Sequence, residues 1–194
     1  MIKTDIILAS KSPQRKKILN KLNLRFKIKE SNINERIIID KYKNPINACK
    51  NIAQSKTMKI ANLYPNSLII GADTVVYLNN TIIGKPKNKI EAFDILNQLS
   101  GKRHVVYTAV STILKSKNIN KIIIDKTYVT FNTLQESDIR YYINNFNPME
   151  RAGAYGIQDW SSIFIKKING CYYNVVGFPL PKFYKLFKII KQIL

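Results

Sequence analysis

The sequence has few of the residues that build disulfide frameworks and zinc centres. It contains two cysteines, Cys49 and Cys171, and a single histidine, His104. Two cysteines in apolar patterns form no disulfide framework, and we interpret both as small core residues in a reducing compartment. A lone histidine without paired cysteines excludes the spacing of zinc ligands, and we interpret it as a structural hydrogen-bonding residue rather than a catalytic one.

Apolar runs long enough to span a membrane are also absent from the sequence. The apolar run nearest the N-terminus covers residues 6–9, which is too short for the core of a signal peptide or for a membrane span. Residues 1–194 are therefore expected to form a single cytoplasmic domain that does not bind membranes and has neither internal repeats nor a long linker.

Acidic residues are scarce, and the chain is strongly basic. Its 32 Lys and Arg outnumber 12 Asp and Glu, which gives a net charge of +20. Such a charge is typical of a protein that binds nucleic acid, an anionic membrane or nucleotides. The lysines are scattered, however, and Lys, Ile and Asn recur even at plain surface positions, as in a protein from an AT-rich genome. We attribute most of the charge to this bias and do not predict nucleic-acid binding from it.

One carboxylate interrupts the most apolar stretch of the chain. Residues 68–76 are rich in Ile and Val and predict a strand that is buried on both faces. Asp73 lies within this strand, where an ionised carboxylate requires a metal, a cation or several hydrogen-bond donors. On this stretch alone, a structural Asp that closes the strand and bonds a turn explains the pattern equally well.

A strand over residues 5–10 leads into a helix whose first turn is rich in cations. Ser12 is a good N-cap, and Pro13 suits the first helical position. Cations in the first turn oppose the helix dipole unless an anion lies between them, so this N-terminus predicts a phosphate site. Arg15 is the better candidate ligand, whereas Lys16 and Lys17 are expected to be solvated.

Three further charged residues have both a functional and a plain interpretation. Lys56 lies on the apolar stripe of a helix that begins at residues 44–45, so it either extends along the stripe to water or reaches a cleft. Lys85 follows a hairpin that turns at residues 79–80, which brings it near the level of Asp73 as a ligand clamp or a simple turn residue. Glu35 ends a polar loop over residues 32–35 and is either a metal ligand or a surface residue.

The remaining pattern alternates helices with strands and predicts the α/β class. Helices are expected over residues 89–99, 134–146 and 181–194, and strands over 24–29, 105–114 and 122–131. Asn169 and Gly170 predict the turn of a hairpin that joins strands over 163–168 and 171–176. Gln158 ends a glycine-containing loop, and its amide carries the donor and the acceptor needed to contact the edge of a base.

Five motifs in this sequence resemble those of the Maf family of nucleoside triphosphate pyrophosphatases. They occupy residues 8–15, 71–76, 84–86, 99–108 and 151–158. Any one motif is weak, so the resemblance rests on their common order over nearly the whole chain. The last motif, Arg-Ala-Gly-Ala-Tyr-Gly-Ile-Gln, is similar to the one that marks the branch acting on dTTP and UTP.

The resemblance implies a fold and a reaction. The fold is Maf-like and similar to that of inosine triphosphatases: a mixed, strongly bent sheet flanked by helices, with two lobes around a cleft. The reaction cleaves a nucleoside triphosphate between its α- and β-phosphates and requires a divalent cation, Mg²⁺ or Mn²⁺. Such chemistry depends on positioning and charge neutralisation more than on covalent catalysis. The family also makes a homodimer plausible.

The resemblance further implies roles for individual residues. Asp73 is the implied proton acceptor and, together with Glu35, the implied metal ligand. The implied triphosphate-binding residues are Ser12, Arg15, Lys56 and Lys85. The residues that match positions of base selection are Gln14, Thr74 and Gln158.

Two residues depart from the family pattern near the expected base site. Gln14 stands where the family has the first Arg of a pair, which removes a charge and a two-pronged donor. Asp159 replaces a Gly and places a negative charge beside Gln158, so we expect a change in that loop. Arg151 replaces a Lys with retention of charge.

These departures leave three hypotheses. The first is an enzyme that removes dTTP, UTP and modified pyrimidine triphosphates from the nucleotide pool. The second is a catalytically weakened nucleotide-binding regulator of cell division, although the intact Asp73, Lys56 and Lys85 favour the first. The third is an RNA- or DNA-binding module. It rests on net charge alone, because the chain lacks the aromatic-rich basic strand of RNA-binding modules.

Overall fold

In a computed structural model, which describes residues 4–194, seven strands form one mixed sheet. The strand order is β2-β1-β3-β5-β6-β7, and β4 pairs with β3. The two strands that flank β1 run parallel to it, whereas β3, β5, β6 and β7 are antiparallel neighbours. The strands are β1 (Ile6–Leu8), β2 (Lys27–Ile28), β3 (Leu68–Leu78), β4 (Thr81–Ile83), β5 (Arg103–Leu114), β6 (Ile119–Phe131) and β7 (Ile165–Asn169).

Helices flank this sheet, which confirms the predicted mixed α/β architecture. Ser12, Asn44 and Asn88 cap their helices through side-chain oxygens, and Pro13 and Pro45 stand at first helical positions as predicted. The helices are α1 (Pro13–Asn20), α2 (Glu35–Ile39), α3 (Pro45–Leu63), α4 (Lys89–Leu99), α5 (Glu136–Asn145), α6 (Tyr172–Val176) and α7 (Leu180–Lys191). Within residues 4–194, no helix is long and apolar enough to cross a membrane.

Strand β3 is buried along most of its length, as its composition predicted. Helix α3 packs closely on it: a Cβ atom at Gly71 would lie 3.1 Å from Thr57 Oγ1 and 3.3 Å from the Ala53 carbonyl. A glycine therefore permits the close approach of helix and strand at this level. The approach brings Lys56, one residue before Thr57 on α3, next to Asp73 on β3.

Two hydrophobic clusters lie on either side of a cleft. One packs α1 and α7 against β1 and β3 and is centred on Leu8, Phe178 and Phe183. The other packs α4 and α5 against β5 and β6 and is centred on Phe131 and Tyr142. The cleft is lined by the segment that joins β1 to α1, by the first turn of α1 and by residues of the loop over 150–158.

The predicted hairpin over residues 163–176 is wrong in its second half. Residues 165–169 form β7 against β6, but Tyr172–Val176 is the helix α6. The chain leaves the sheet because the Thr127 hydroxyl accepts from Cys171 N–H and lies 3.1 Å from the Cys171 carbonyl. Gly170, at φ +133°, turns the backbone at that point. A tertiary contact therefore overrides the local turn signal.

Smaller differences concern element boundaries and exposure. Glu35 begins the helix α2, capped by Asn34, where the sequence predicted only a loop. Strand β2 covers two residues rather than six, and β6 begins three residues earlier than predicted. Leu63 and Ile90 are 68% and 75% exposed despite their apolar side chains, because each lies at the end of its helix.

Candidate active site

The cleft has a cavity volume of about 1070 Å³ and is lined by all nine site residues that the sequence predicted. This volume lies at the upper end of the range for small-molecule sites. The predicted residues come from six separate parts of the chain, which only the fold brings together. They are Ser12, Gln14, Arg15, Glu35, Lys56, Asp73, Thr74 and Lys85, and the ninth predicted residue, Gln158, lines the wall formed by residues 150–158.

A lysine bridges two carboxylates on the floor of the cleft. Lys56 Nζ lies 2.7 Å from Asp73 Oδ1 and 2.7 Å from Glu35 Oε1. Lys56 and Asp73 are only 6% and 4% exposed, so water solvates their charges poorly and the two charges stabilise each other instead. Lys56 therefore reaches into the cleft, and the alternative of a lysine that extends to water is excluded.

The two carboxyl groups differ in their pKa. Burial raises the pKa of Asp73, and the nearby Glu35 carboxylate adds to this effect, while Lys56 and Arg15 oppose it. Burial alone would also raise the pKa of Glu35, but the ammonium groups of Lys56 and Lys85 outweigh it and lower that pKa to about 2. Glu35 is therefore a permanent anion at neutral pH, whereas Asp73 is the carboxyl group poised to take up a proton.

Lys85 lies at the more open side of the same cluster. Its Nζ is 3.5 Å from Glu35 Oε2 and 3.6 Å from Glu150 Oε2, and its side chain is 40% exposed. The β3–β4 hairpin returns it beside Glu35, close to the level of Asp73, as the sequence predicted. Its distances and exposure leave it free to reorient toward an anion in the cleft.

Arg15 lies on the opposite wall and is held by three hydrogen bonds. Its Nε donates to the Gly177 carbonyl at 3.0 Å, and its terminal nitrogens donate to Thr74 Oγ1 at 3.2 Å and Ser10 Oγ at 3.4 Å. No acidic partner lies within salt-bridge distance of it in residues 4–194. Arg15 is thus a fixed cation without a direct ion-pair partner among the described residues, and Lys16 and Lys17 are exposed as predicted.

Sequence reasoning missed two buried residues, Thr108 and Asn174, that support Arg15 through Thr74. Thr74 pairs across the sheet with Thr108, and their hydroxyls are 3.0 Å apart. Thr108 in turn donates to the Asn174 carbonyl at 2.9 Å, and the Asn174 amide bonds the Val106 carbonyl and Thr127 Oγ1. Polar residues within an apolar strand were a signal for Thr108, but the register with Thr74 required the structure.

The amide of Gln158 has an unused acceptor. Its Oε1 is buried and has no hydrogen-bond partner among the described residues. A buried acceptor without a partner is unfavourable and is expected to find a donor in a ligand. Ser12 and Gln14 line the other end of the cleft, where Ser12 Oγ accepts from Arg15 N–H at 3.4 Å.

His104 lies outside the cleft, as predicted for a structural histidine. It is 1% exposed, and its Nε2 is 2.8 Å from the Tyr155 hydroxyl. Phe131 and Tyr155 pack edge-on against its ring at centroid distances of 5.0 and 5.5 Å. Burial lowers the pKa of His104 to about 4, so it is neutral at physiological pH.

Two carboxylates in the cleft are oxygen donors of the kind that divalent cations prefer. Residues 4–194 contain no cluster of three His, Cys, Asp or Glu that would hold a metal by itself. Asp73 and Glu35 nevertheless supply two carboxylates, and Mg²⁺ is commonly held by one or two carboxylates plus substrate phosphates. The chemistry of these donors is therefore compatible with a metal that binds together with its substrate.

The fold and the cleft define a class of protein: a mixed α/β protein whose cleft places cationic side chains around a buried carboxylate. Comparison with known proteins narrows this class. A family model described as Maf-like protein matches residues 5–190, and the chain belongs to this family.

Curated relatives match nearly the whole chain. A dTTP/UTP pyrophosphatase from Geobacillus sp. (strain WCH70) is 45% identical over 91% of this chain and 93% of its own. A dTTP/UTP pyrophosphatase from Thermosipho melanesiensis is 42% identical over 94% of this chain and 96% of its own. Among solved structures, a HAM1 protein from Coxiella burnetii matches 95% of this chain and 98% of its own with a TM-score of 0.48 and 12% identity.

Proposed function

We propose that this protein hydrolyses dTTP and UTP to the nucleoside monophosphate and pyrophosphate. Membership of the Maf family and relatives named dTTP/UTP pyrophosphatase over more than nine-tenths of both chains support the substrate class. The observation that carries the proposal is the buried Asp73 carboxylate, which lies 2.7 Å from Lys56 Nζ in a cleft that also contains Arg15 and Lys85. Cations around a buried carboxylate suit a reaction in which water attacks a phosphate.

In this proposal Asp73 accepts the proton of the attacking water. Its raised pKa increases its basicity, and Lys56 still favours the ionised form that a base requires. Water attacks the α-phosphorus, the bond from that phosphorus to the α–β bridging oxygen breaks, and pyrophosphate leaves. Activity should therefore rise with pH through the pKa of Asp73 and then reach a plateau.

The cations are proposed to bind the triphosphate. Arg15 is fixed by its bonds to Gly177, Thr74 and Ser10, so it offers a rigid donor set to the phosphate oxygens. Lys56 and Lys85 would exchange part of their contact with Glu35 for contact with the substrate. Ser12, at the N-terminus of α1, supplies a further donor.

Asp73 and Glu35 are the proposed ligands of a divalent cation, Mg²⁺ or Mn²⁺. When bound, such a cation neutralises charge on the phosphates and lowers the pKa of a coordinated water. Asp73 and Glu35 would hold such a cation, and Lys56, whose Nζ lies 2.7 Å from both carboxylates, would then be available to pair with the phosphates of the substrate.

Gln14, Thr74 and Gln158 are the proposed determinants of base selection. The unpartnered Oε1 of Gln158 would accept a hydrogen bond from the N3–H of uracil or thymine. Thr74 Oγ1 is already bonded to Arg15 and Thr108, so its proposed role is to set the position of Arg15 beside the nucleotide.

The decisive experiment is a nucleotide panel. Purified protein with Mg²⁺ or Mn²⁺ is expected to release pyrophosphate, and not orthophosphate, with dTTP and UTP as the preferred substrates. Folded protein that releases no pyrophosphate from any nucleotide would overturn the proposal. Tight nucleotide binding without turnover would instead support the catalytically weakened regulator, which the intact Asp73, Lys56 and Lys85 do not favour.

We also propose that the protein acts in the cytoplasm, where its substrates are made, and that it forms a homodimer. Light scattering during size-exclusion chromatography distinguishes a dimer from a monomer. The substrate is a free nucleotide, and no retention on DNA or RNA is expected at physiological salt.

A further inference from the structure

A second ion pair, distinct from the cluster at Asp73, lies in the wall of the cleft. Arg151 Nη1 donates to Asp159 Oδ2, and the two side chains are only 24% and 17% exposed. The two residues stand at the beginning and the end of the loop that carries Gln158. Their contact therefore closes this loop at its base.

Asp159 also anchors the middle of the loop. Its other oxygen, Oδ1, accepts from Ser161 N–H at 3.1 Å and from the Ser161 hydroxyl at 2.7 Å. Ser161 is fully buried, and its Oγ accepts from Gly156 N–H at 3.0 Å. One carboxylate thus ties the start of the loop, through Arg151, to its centre, through Ser161 and Gly156.

The guanidinium of Arg151 fills the space beneath the loop. A Cβ atom at Gly156 would lie 1.5 Å from Arg151 Nη1, so the backbone of Gly156 rests directly against the guanidinium. The same point is 3.0 Å from Gln158 Nε2. The Gln158 amide is therefore packed beside the ion pair, while its Oε1 remains without a partner.

We propose that the Arg151–Asp159 pair is a positioning device for the base subsite. It holds the Gln158 amide at a fixed depth in the cleft, and it neutralises Arg151 so that this cation does not compete with Arg15 for the triphosphate. The inference rests on the proposed function, since it assumes that Gln158 meets the base. The pair is expected to affect the choice between nucleotides but not the proton transfer at Asp73.

Three variants test this assignment: Asp159→Asn, Arg151→Met and the double variant. Asn at position 159 keeps an oxygen that can accept from Ser161, so Asp159→Asn removes chiefly the charge. In each single variant the kcat/KM for UTP relative to that for ATP is expected to fall by about tenfold, because a displaced amide no longer distinguishes the base edges. The change is expected in KM for UTP, with kcat within about threefold of the wild type.

The double variant separates a pair that acts as a unit from two independent residues. If the pair acts as a unit, the double variant loses no more selectivity than either single variant. Arg151→Lys, which keeps the charge, is expected to retain most of the selectivity and serves as a rescue variant if Arg151→Met does not fold. Glu136→Gln is a matched control, because it breaks an Arg–carboxylate pair that is 63% exposed on α5 and remote from Gln158. It should leave the UTP-to-ATP ratio unchanged.

Several outcomes would overturn the inference. An unchanged UTP-to-ATP ratio in folded Asp159→Asn would do so, as would equal losses for both nucleotides, which indicate a purely structural role. If the double variant loses selectivity by the product of the two single losses, the two residues act independently and the pair is not a unit. Wild-type protein that hydrolyses no nucleotide overturns the proposed function and this inference with it, whereas active wild-type protein with unaffected variants overturns the inference alone.

Discussion

Asp73 and His104 lie on neighbouring strands of one sheet, and burial shifts both toward their neutral forms. It raises the pKa of Asp73 and lowers that of His104 to about 4. The difference lies in their surroundings. Asp73 has Lys56 at 2.7 Å and faces the cleft, whereas His104 has the Tyr155 hydroxyl at 2.8 Å and is enclosed by aromatic rings.

Because both residues have a shifted pKa and only Asp73 faces the cleft, a shifted pKa by itself does not mark an active site. The charge on Asp73 is compensated and a substrate can reach it, so the group can exchange a proton during a reaction. The Nδ1 of His104 is buried and has no partner among the described residues, so protonation would place a charge where nothing stabilises it. The first residue is thus suited to chemistry and the second to the stability of the neutral core.

The largest effect is expected from Asp73→Asn. Loss of the proton acceptor should lower kcat by at least about 100-fold, since general base catalysis contributes on that scale. Binding of a nonhydrolysable triphosphate should persist, because Arg15, Lys56 and Lys85 remain. Pyrophosphate release and equilibrium binding check the two parts. His104→Gln is the control and should keep kcat within about threefold. Comparable losses in both variants would abolish the distinction between the two residues.

The substitution Lys56→Met leaves Asp73 buried without the cation that compensates its charge. Because Lys56 lowers the pKa of Asp73, its removal should raise that pKa further and shift the rise of activity to higher pH. Breaking the buried pair should also lower the free energy of unfolding by about 3 kcal/mol. A pH–rate profile and urea unfolding check both effects. Lys59→Met, at an exposed position of the same helix, should change neither.

His104 is expected to make stability depend on pH. Its folded-state pKa of about 4 lies below the unfolded value of 6.5, so the unfolded chain binds the proton first as pH falls. Stability from this residue is complete above pH 6.5 and should decline by about 3 kcal/mol as pH falls to 4. Urea unfolding at several pH values measures the slope. The slope of His104→Gln should be smaller over this interval, and equal slopes would refute the role of the buried imidazole.

The smallest effect is expected from Arg15→Lys, which keeps the charge and loses the planar donor set. KM should rise about tenfold, because the bonds to Gly177, Thr74 and Ser10 that fix the cation cannot all be replaced. Steady-state kinetics with UTP measures the change. Wild-type KM in this variant would show that the cleft requires charge alone and not a fixed geometry.

Some features of the site followed from local pattern. A carboxylate in an Ile- and Val-rich strand is costly to bury, which singled out Asp73, although its catalytic role was implied only by the family resemblance. Ser12 and Pro13 were correctly placed at the start of α1. Other features depend on contacts between distant parts of the chain. The approach of Glu35 to Lys56 and the pairing of Thr74 with Thr108 are of this kind. The contact of Arg151 with Asp159 spans only eight residues, but it too was visible only in the structure. Asp159, which the sequence left as an unpaired charge beside Gln158, forms an ion pair with Arg151.

The sequence by itself determined most of the strands and helices, where α1 and α3 begin, and that Asp73 needs a metal, a cation or several hydrogen-bond donors. These properties depend on residues close together in the chain, where periodicity and capping act. Only the tertiary structure decided which cation is that partner, that residues 172–176 form a helix, and that one ion pair closes the Gln158 loop. The first depends on the close packing of α3 on β3 at Gly71, the second on the contact of Thr127 with Cys171, and the third on the folding of one loop. Each is a contact between residues that no periodicity or capping pattern brings together.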